Sequence, residues 1–287
     1  MVSTYSKLAD GAFGLILRGA LVTAVIAVTG AAAHVAVGAK PQADQGNGGG
    51  WISLFDGKTL DGWHKNPQKI GHGTGGQWTV EDGVLVGQQD PPGSGNGGVL
   101  LTDRKFGDFE LSLEMKPSWG VDSGVFLRST DQGQCSQMTV DYYKNGNVGQ
   151  MYGEATGGWV ARTFSIRGQV EDRKLVSLET VLPESLEVAG LEYACTPEEW
   201  LKAWKINDWN QALIRVEGGR YPKITTSING LKVCVFNAAT STAASYDKEA
   251  VAKTLGERGS IGVQVHGGGS YPVGRKCEWR NIRVREL

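Results

Sequence analysis

The segment at residues 137–141 reads QMTVD, and it alternates polar with apolar side chains as a β-strand does. Successive side chains of a strand point to opposite faces, so Gln137, Thr139 and Asp141 share one face. The same alternation occurs in three other segments: ELSLEMK at residues 110–116, SGVFLR at residues 123–128 and IGVQVH at residues 261–266. The pattern predicts a sheet with one face on a core and a concave, hydrogen-bonding second face, which suits a polyhydroxylated ligand such as a sugar.

The turns and the single helical pattern around these segments indicate the fold class. Asp82-Gly83 and Asn229-Gly230 each separate two apolar runs, and such pairs tolerate the positive φ of tight hairpin turns. One helix is predicted at about residues 196–205, where Thr196 and Glu199 form a capping box. Strands without interleaved helices exclude a parallel α/β sheet and favour an all-β antiparallel sandwich or jelly roll.

The first fifty residues predict export. Residues 1–39 combine a cationic start, an apolar stretch and the small-residue sequence VGA, as in a secretory signal peptide, although an uncleaved N-terminal anchor is the alternative. Residues 40–50 are rich in Gly, Gln and Asn and predict a flexible linker. We therefore expect a single folded domain at residues 51–287, secreted or periplasmic, with membrane contact only if the leader is uncleaved.

Composition and motifs weigh against several ligand classes. The net charge is −1 and no Lys/Arg cluster is present, so we expect no nucleic-acid partner. Gly93-x-Gly95-x-x-Gly98 follows two prolines and leads into a strand-like run without a helix to hold a pyrophosphate, so we expect no nucleotide. No motif requires a cofactor. A divalent metal would need the fold to gather His64, His72 and His266 with carboxylates.

The four cysteines leave two interpretations open. Cys135, Cys195, Cys234 and Cys277 all lie in the expected exported part, where disulfides are permitted. Cys234 and Cys277 lie in late strand-like segments that could pair, and buried free thiols are the alternative.

The two glutamates of the segment at residues 110–116 do not have the spacing of paired glycosidase carboxylates. Four residues of strand separate the backbones of Glu110 and Glu114 by roughly 13 Å, whereas paired glycosidase carboxyls lie about 5 to 9.5 Å apart. Ser112 stands between them, where some jelly-roll glucanases carry Asp. Glu114 remains a candidate for sugar contact, with a solvated strand face as the alternative.

A second group of candidates lies at residues 137–159. Tyr152 and Trp159 would form an aromatic rim beside Glu154, because an aromatic face can stack on the C–H surfaces of a sugar; core positions are the alternative. His266 shares a strand face with Gln264 and is suited to acid, base or ligand chemistry, unless it is a structural histidine.

Eight stretches of the chain resemble one known family. They are LFDGKTLDGW from Leu54, WTVEDGVLVG from Trp78, FGDFELSLEMK from Phe106, DSGVFLRS from Asp122, QMTVDYYKNGNVGQMYGE from Gln137, DWNQALIRVEG from Asp208, GSIGVQVHGGG from Gly259 and EWRNIRVREL from Glu278. The family is the 3-keto-disaccharide hydrolase domain, a concanavalin A-like jelly roll. Residues 169–194 depart from it as an apparent insertion.

This resemblance implies cleavage of a glycoside whose sugar carries a ketone at C3. The ketone acidifies the C2 proton, so a base can remove it, the enolate is stabilised, and the C1 group leaves before water adds. Our hypothesis assigns Asp141 or His266 as the base and Glu154 as an acid. The expected substrate-binding residues are Arg128, Gln137, Tyr152, Trp159, Gln264 and Glu114. Arg128 could instead be a salt-bridge partner, and a non-catalytic carbohydrate-binding module is the alternative function.

Overall fold

The computed structural model describes residues 50–68, 73–269 and 271–287. The predicted leader at residues 1–39, and the predicted linker except Gly50, lie outside these residues. Within them the chain forms these elements: β1 (Ile52–Ser53), β2 (Trp63–Lys65), β3 (Gln77–Glu81), β4 (Val84–Gln88), β5 (Gly98–Phe106), β6 (Phe109–Pro117), β7 (Gly124–Ser129), β8 (Cys135–Val140), β9 (Val148–Glu154), β10 (Gly158–Ala161), β11 (Ser165–Glu171), β12 (Lys174–Val181), β13 (Leu191–Ala194), α1 (Pro197–Ala203), β14 (Asn210–Glu217), β15 (Lys223–Ile228), β16 (Leu231–Asn237), α2 (Lys248–Leu255), β17 (Gly259–Val265) and β18 (Cys277–Glu286).

Two antiparallel sheets share one hydrophobic core. The first has the order β13-β16-β15-β14-β6-β18-β4-β3, with β1 also paired to β18, and the second has the order β10-β9-β8-β7-β17-β5-β2. Apolar side chains of both sheets meet between them, among them Leu111 and Ile214 from the first sheet and Met138 and Val263 from the second. The expected all-β, concanavalin-like jelly-roll sandwich is confirmed.

Local signals in the sequence account for the turns and for α1. Both predicted hairpins are present, because β3 and β4 flank Asp82-Gly83 and β15 and β16 flank Asn229-Gly230. The capping box also forms: the Thr196 hydroxyl accepts from the Glu199 N–H at 3.2 Å, and the Glu199 carboxylate accepts from the Thr196 N–H at 2.8 Å. Helix α1 is therefore confirmed, at Pro197–Ala203.

Helix α1 anchors the core with two tryptophans. The rings of Trp200 and Trp204 stack at a centroid distance of 5.3 Å. The indole N–H of Trp200 donates to the carbonyl of Val148 at 2.9 Å, and that of Trp204 donates to the hydroxyl of Tyr142 at 3.1 Å. Because buried indoles need such partners, these bonds tie the helix to strand β9 and to the segment that follows β8.

The sheet that contains β6, the second helix and the hairpin at residues 165–181 were not predicted from the sequence. The segment at residues 110–116 lies in β6, in the other sheet from β7, β8 and β17, so the prediction of one polar face for all four segments is wrong for this segment. The second helix α2, capped by Asp247, was not predicted. The apparent insertion at residues 169–194 contains most of a separate β11–β12 hairpin, followed by strand β13.

The cysteine alternatives are resolved in favour of free thiols. All four cysteines are buried and unpaired by disulfides in the described residues, so the pairing of Cys234 with Cys277 is not formed. Burial raises the pKa of the Cys195 thiol to about 11 and that of Cys234 to about 12. Both thiols therefore remain protonated near neutral pH, and neither is an activated nucleophile.

No helix of the described chain is both long and apolar enough to cross a bilayer.

Candidate functional site

A cavity of about 260 Å³ opens on the outer face of the seven-stranded sheet. Seven of the nine predicted site residues line it: Gln137, Asp141, Tyr152, Glu154, Trp159, Gln264 and His266. Three residues that had not been assigned to the site complete it: Asp122, Thr139 and Tyr143. These side chains come from or directly adjoin five consecutive strands of the sheet, β10, β9, β8, β7 and β17.

Strand register brings the polar side chains together. Gln137 of β8 lies opposite Tyr152 of β9, and Tyr152 in turn lies opposite Trp159 of β10. On the other side of β8, Thr139 lies opposite Gly124 of β7. Because directly opposed residues of an antiparallel pair share a face, the alternation read from the sequence places these groups on one surface.

Two buried amides form the floor of the cavity. The side-chain NH₂ of Gln137 donates to Oε1 of Gln264 at 3.1 Å and to the carbonyl of Ser123 at 3.3 Å. This arrangement fixes the orientation of the Gln264 amide, whose Nε2 is buried and has no hydrogen-bond partner among the described residues. Gln264 is only 1% exposed. A buried donor without a partner is costly, so this N–H is suited to bind a ligand oxygen.

Gly124 makes room for this amide pair. A Cβ atom at Gly124 would lie 1.9 Å from Nε2 of Gln137, far inside van der Waals contact. The glycine thus allows the Gln137 side chain to cross strand β7 and reach Gln264.

A carboxyl pair lies beside the amides. Burial raises the pKa of Asp141 well above its ordinary value, and the negative charge of Asp122 and the hydrogen bond between the two carboxyls raise it further. Asp141 is 6% exposed. Two close carboxyls in such surroundings do not ionise together easily, so the pair keeps a proton to higher pH than a lone exposed Asp would. Tyr143 is also hydrogen-bonded to Asp122, and burial followed by these two carboxyls raises its pKa, so it stays a hydroxyl donor.

His266 approaches the same carboxyl pair. Its Nδ1 lies 2.5 Å from the carbonyl oxygen of Gly267, which can only accept a hydrogen bond, so Nδ1 carries the proton in the neutral ring. The other nitrogen, Nε2, lies 4.0 Å from Oδ2 of Asp122. This tautomer makes Nε2 the nitrogen that can accept a proton at the cavity.

The aromatic residues form one wall. The rings of Tyr152 and Trp159 meet edge to face at a centroid distance of 5.1 Å, and the guanidinium of Arg162 lies 4.6 Å from the Trp159 ring centroid. Both rings are partly exposed and line the cavity, so they do not belong to the sandwich core. Glu154 lies at the same wall, next to the end of β9.

Arg128 does not reach the cavity. It is 3% exposed and follows Leu127, which lies opposite Ser136, five residues before Asp141 along the chain of strand β8, a separation of about 17 Å. Its Nε donates to the carbonyl of Gly107 at 2.9 Å, and its guanidinium also bonds Asp108. The interpretation as a ligand clamp at this site is therefore corrected: Arg128 is a buried salt-bridge partner.

Glu114 is also absent from this cavity. It lies on β6, in the nine-stranded sheet, where its carboxylate accepts a hydrogen bond from Nε of Arg280 at 2.6 Å. Partial burial opposes ionisation, but Arg280 and Asn281 lower the pKa of Glu114. Glu110 is likewise paired with arginines, with Arg215 at 2.7 Å. The strand pattern could not separate these glutamates from the site, because it does not specify the sheet.

The residues missed by the sequence analysis carry weak local signals. Asp122 lies two positions before the start of strand β7, on the face of Gly124. Tyr143 lies beyond the end of β8, two positions after Asp141. Continuing the period-2 alternation past each strand end would have found both. Both residues matter for the site because they are neighbours of Asp141, and only the strand order shows that they are.

No group of three or more His, Cys, Asp or Glu side chains with metal-binding geometry occurs in the described ranges. His64 is bonded instead to Asp103, at 2.6 Å, and His72 lies outside those ranges. The described residues therefore do not show the gathering of histidines and carboxylates that a metal site would need.

Residues 50–285 match the model of a family described as the 3-keto-alpha-glucoside-1,2-lyase-like domain. The chain belongs to this family. The resemblance read from the eight sequence stretches is therefore confirmed.

The chain is also similar to one curated protein and to solved structures. A 3-keto-disaccharide hydrolase from Bacteroides thetaiotaomicron is 40% identical over 83 residues, which cover 27% of this chain and 27% of that protein. The match thus spans about a quarter of the length of the curated relative. A crystal structure of a candidate glycosyl hydrolase from Parabacteroides distasonis has a TM-score of 0.50 and 18% identity, covering 83% of this chain and 94% of that one. A second structure from the same organism has a TM-score of 0.48 and 20% identity, covering 83% and 99%.

Proposed function

We propose that this protein cleaves 3-keto-glycosides, in particular 3-keto-disaccharides, by removal of the C2 proton, elimination at C1 and addition of water. The observation that carries the proposal is the buried, unpartnered Nε2 of Gln264, which lines a cavity that also holds a candidate base and a protonated carboxyl pair. Family membership supports the substrate class.

The first step needs a base and a group that stabilises the enolate. Nε2 of His266 takes the C2 proton, and the electron pair of the C2–H bond forms the C2=C3 bond of an enolate with negative charge on O3. The Gln264 N–H donates to O3, in the role of an oxyanion hole. The Tyr143 hydroxyl is a second donor at the same cavity. Arg128, the earlier candidate for this role, is replaced by these two groups.

The second step breaks the glycosidic bond. The enolate collapses to restore the C3 ketone and form a C1=C2 double bond, and the C1–O bond breaks toward the leaving sugar. The proton shared by Asp141 and Asp122 passes to the leaving oxygen, since a carboxyl with a raised pKa is an acid near neutral pH. This assigns Asp141 as the acid, whereas Glu154, at the aromatic wall, remains the alternative donor.

Hydration completes the reaction. Water adds its hydroxyl to C1, and the imidazolium of His266 returns a proton to C2, while the remaining water proton restores the carboxyl pair. The products are the free 3-keto sugar and the released sugar, so the sum of the steps is hydrolysis. Tyr152 and Trp159 bind the C–H face of a sugar ring during these steps.

The test compares an oxidised substrate with its parent. The purified protein is incubated with a 3-keto disaccharide and, in parallel, with the unoxidised disaccharide, with and without divalent metal, and released sugar is measured. We expect cleavage of the keto sugar alone. His266→Ala and Asp141→Asn should each lower turnover at least about a hundredfold, whereas Asp61→Asn, an exposed turn residue, should leave it unchanged.

Two results would contradict the proposal. Full turnover by both His266→Ala and Asp141→Asn would remove these side chains from the mechanism. Saturable binding of either sugar without cleavage would favour a carbohydrate-binding module. The predicted secreted or periplasmic location rests on residues 1–39 and remains a proposal as well.

A further inference from the structure

A second cavity, of about 360 Å³, lies on the outer face of the nine-stranded sheet. Strands β6 and β18 form its floor, the segment around β1 forms one wall, and strand β14 forms the other. The cavity is lined by Trp51, Ser53, Phe55, Ser112, Glu114, Gln211, Asn281 and Arg283. None of them belongs to the cavity that contains Asp141.

A β-bulge in strand β18 shapes this cavity. Arg280 lies opposite Glu114 and Arg283 lies opposite Ser112, so β18 has one residue more than β6 over this interval. The extra residue turns both Arg280 and Asn281 to the outer face, with Asn281 at a φ of +53°, which Asn tolerates better than most residues. Asn281 consequently reaches Glu114, to which its side chain is hydrogen-bonded.

The arginines of this face differ in how they are engaged. Arg215, Arg280 and Arg285 each form an ion pair with a glutamate. The guanidinium of Arg283 forms no ion pair with a described residue; it lies 5.5 Å from the centroid of the Trp51 ring, which the guanidinium of Arg285 also approaches, at 5.2 Å. Its planar set of donors faces the cavity next to the Gln211 amide, which makes no side-chain hydrogen bond within the described part of the chain.

We propose that this cavity is a second carbohydrate-binding site, which takes a sugar ring independently of the site at Asp141. Arg283 donates in pairs, Glu114 accepts, and the amides of Gln211 and Asn281 do both, which matches the vicinal hydroxyls of a sugar. Trp51 supplies an aromatic surface. The volume lies within the range of about 300 to 1,000 Å³ that is usual for small-molecule sites.

The test follows the two cavities separately in the full chain. Indole N–H signals of Trp51 and Trp159 are recorded by NMR during titration with maltose and with cellobiose. We expect a saturable shift of the Trp51 signal that persists in Gln264→Leu. Arg283→Met should weaken this binding roughly ten- to hundredfold, because hydrogen bonds from a charged donor are lost. Gln211→Ala, at an exposed strand position, should weaken it as well.

Leu213→Ala provides the matched control. Leu213 lies on the same strand and face as Gln211, is 41% exposed and does not line the cavity, so its removal should leave the titration unchanged. Three outcomes would overturn the proposal: no shift of Trp51 with either disaccharide, loss of the shift in Gln264→Leu, or a shift with sulfate but not with sugars. Keto-sugar cleavage is measured independently, so failure of one proposal does not entail failure of the other.

Discussion

Asp141→Asn is expected to separate stability from activity. Burial and the neighbouring Asp122 raise the pKa of Asp141 in the folded protein, so the native state retains a proton that the unfolded chain, with an Asp pKa of about 3.9, releases. Because of this raised native pKa, the folded protein loses stability as the pH increases from the pKa of the unfolded chain to that of the native state. Asparagine carries no proton to release and removes this dependence.

The magnitude follows from proton linkage. One proton bound by the native state and not by the unfolded state gives a slope of about −1.4 kcal/mol per pH unit in the free energy of unfolding. Above the pKa of the unfolded chain the wild type should therefore lose stability relative to Asp141→Asn with up to this slope, until the pH reaches the raised native pKa. The same substitution should abolish most keto-sugar turnover, because an amide cannot supply the proton to the leaving oxygen.

Urea unfolding curves at several pH values between 5 and 7 give the measurement, and the difference in unfolding free energy between the two proteins is plotted against pH. Asp61→Asn serves as the control: it also removes one carboxylate, but from an exposed turn, and its curve should run parallel to that of the wild type. If the difference between Asp141→Asn and the wild type stays constant over this interval, the carboxyl pair does not hold the extra proton, and the acid assigned to the leaving-group step is wrong.

Four further outcomes are expected. Gln264→Leu should lower kcat on a 3-keto disaccharide about a hundredfold through loss of the oxyanion donor, with the fold retained in circular dichroism; unchanged kcat would contradict the assigned role. Gly124→Ala should displace Gln137 and lower kcat as well, since the new Cβ would lie 1.9 Å from its amide nitrogen; unchanged kinetics would show that the amide pair is dispensable. Trp200→Ala should cost about 3 to 5 kcal/mol of unfolding free energy, measured in urea, because a fully buried ring and its bond to a strand carbonyl are lost. Intact mass of the exported protein should correspond to a chain that begins at Lys40, and a mass that includes residues 1–39 would favour the uncleaved anchor.

Much of the site could be predicted because alternation within a strand is a local property. Gln137 and Asp141 share a face through the pleat alone, and Gln264 and His266 do so in the same way. What brings these two pairs together is the insertion of β7 between β8 and β17. That neighbourhood depends on long-range pairing, which no local pattern contains.

The same limit explains the two residues that were placed wrongly. Glu114 lies on a strand with the expected alternation, but that strand belongs to the other sheet. Arg128 lies on a correct strand, but at its far end, where Asp108 neutralises its charge. Asp122 was missed for the opposite reason: it lies just outside a strand, and it becomes chemically important only through its contact with Asp141. Where a residue lies along its strand relative to the site, and which residues it contacts, could be determined only from the fold.

Strand β17 bears on when the protein becomes active during its synthesis. It pairs with β5 on one side and with β7 on the other, so two strands that are close in the chain are joined through one that is made more than a hundred residues later. Until residues 259–266 have left the ribosome, β5 and β7 lack their shared neighbour, and neither Gln264 nor His266 can take its place in the site. Such long-range pairing is slow to form. A nascent or partly translocated chain therefore has no complete site, and the proposed sugar cleavage would begin only after the whole domain has been released.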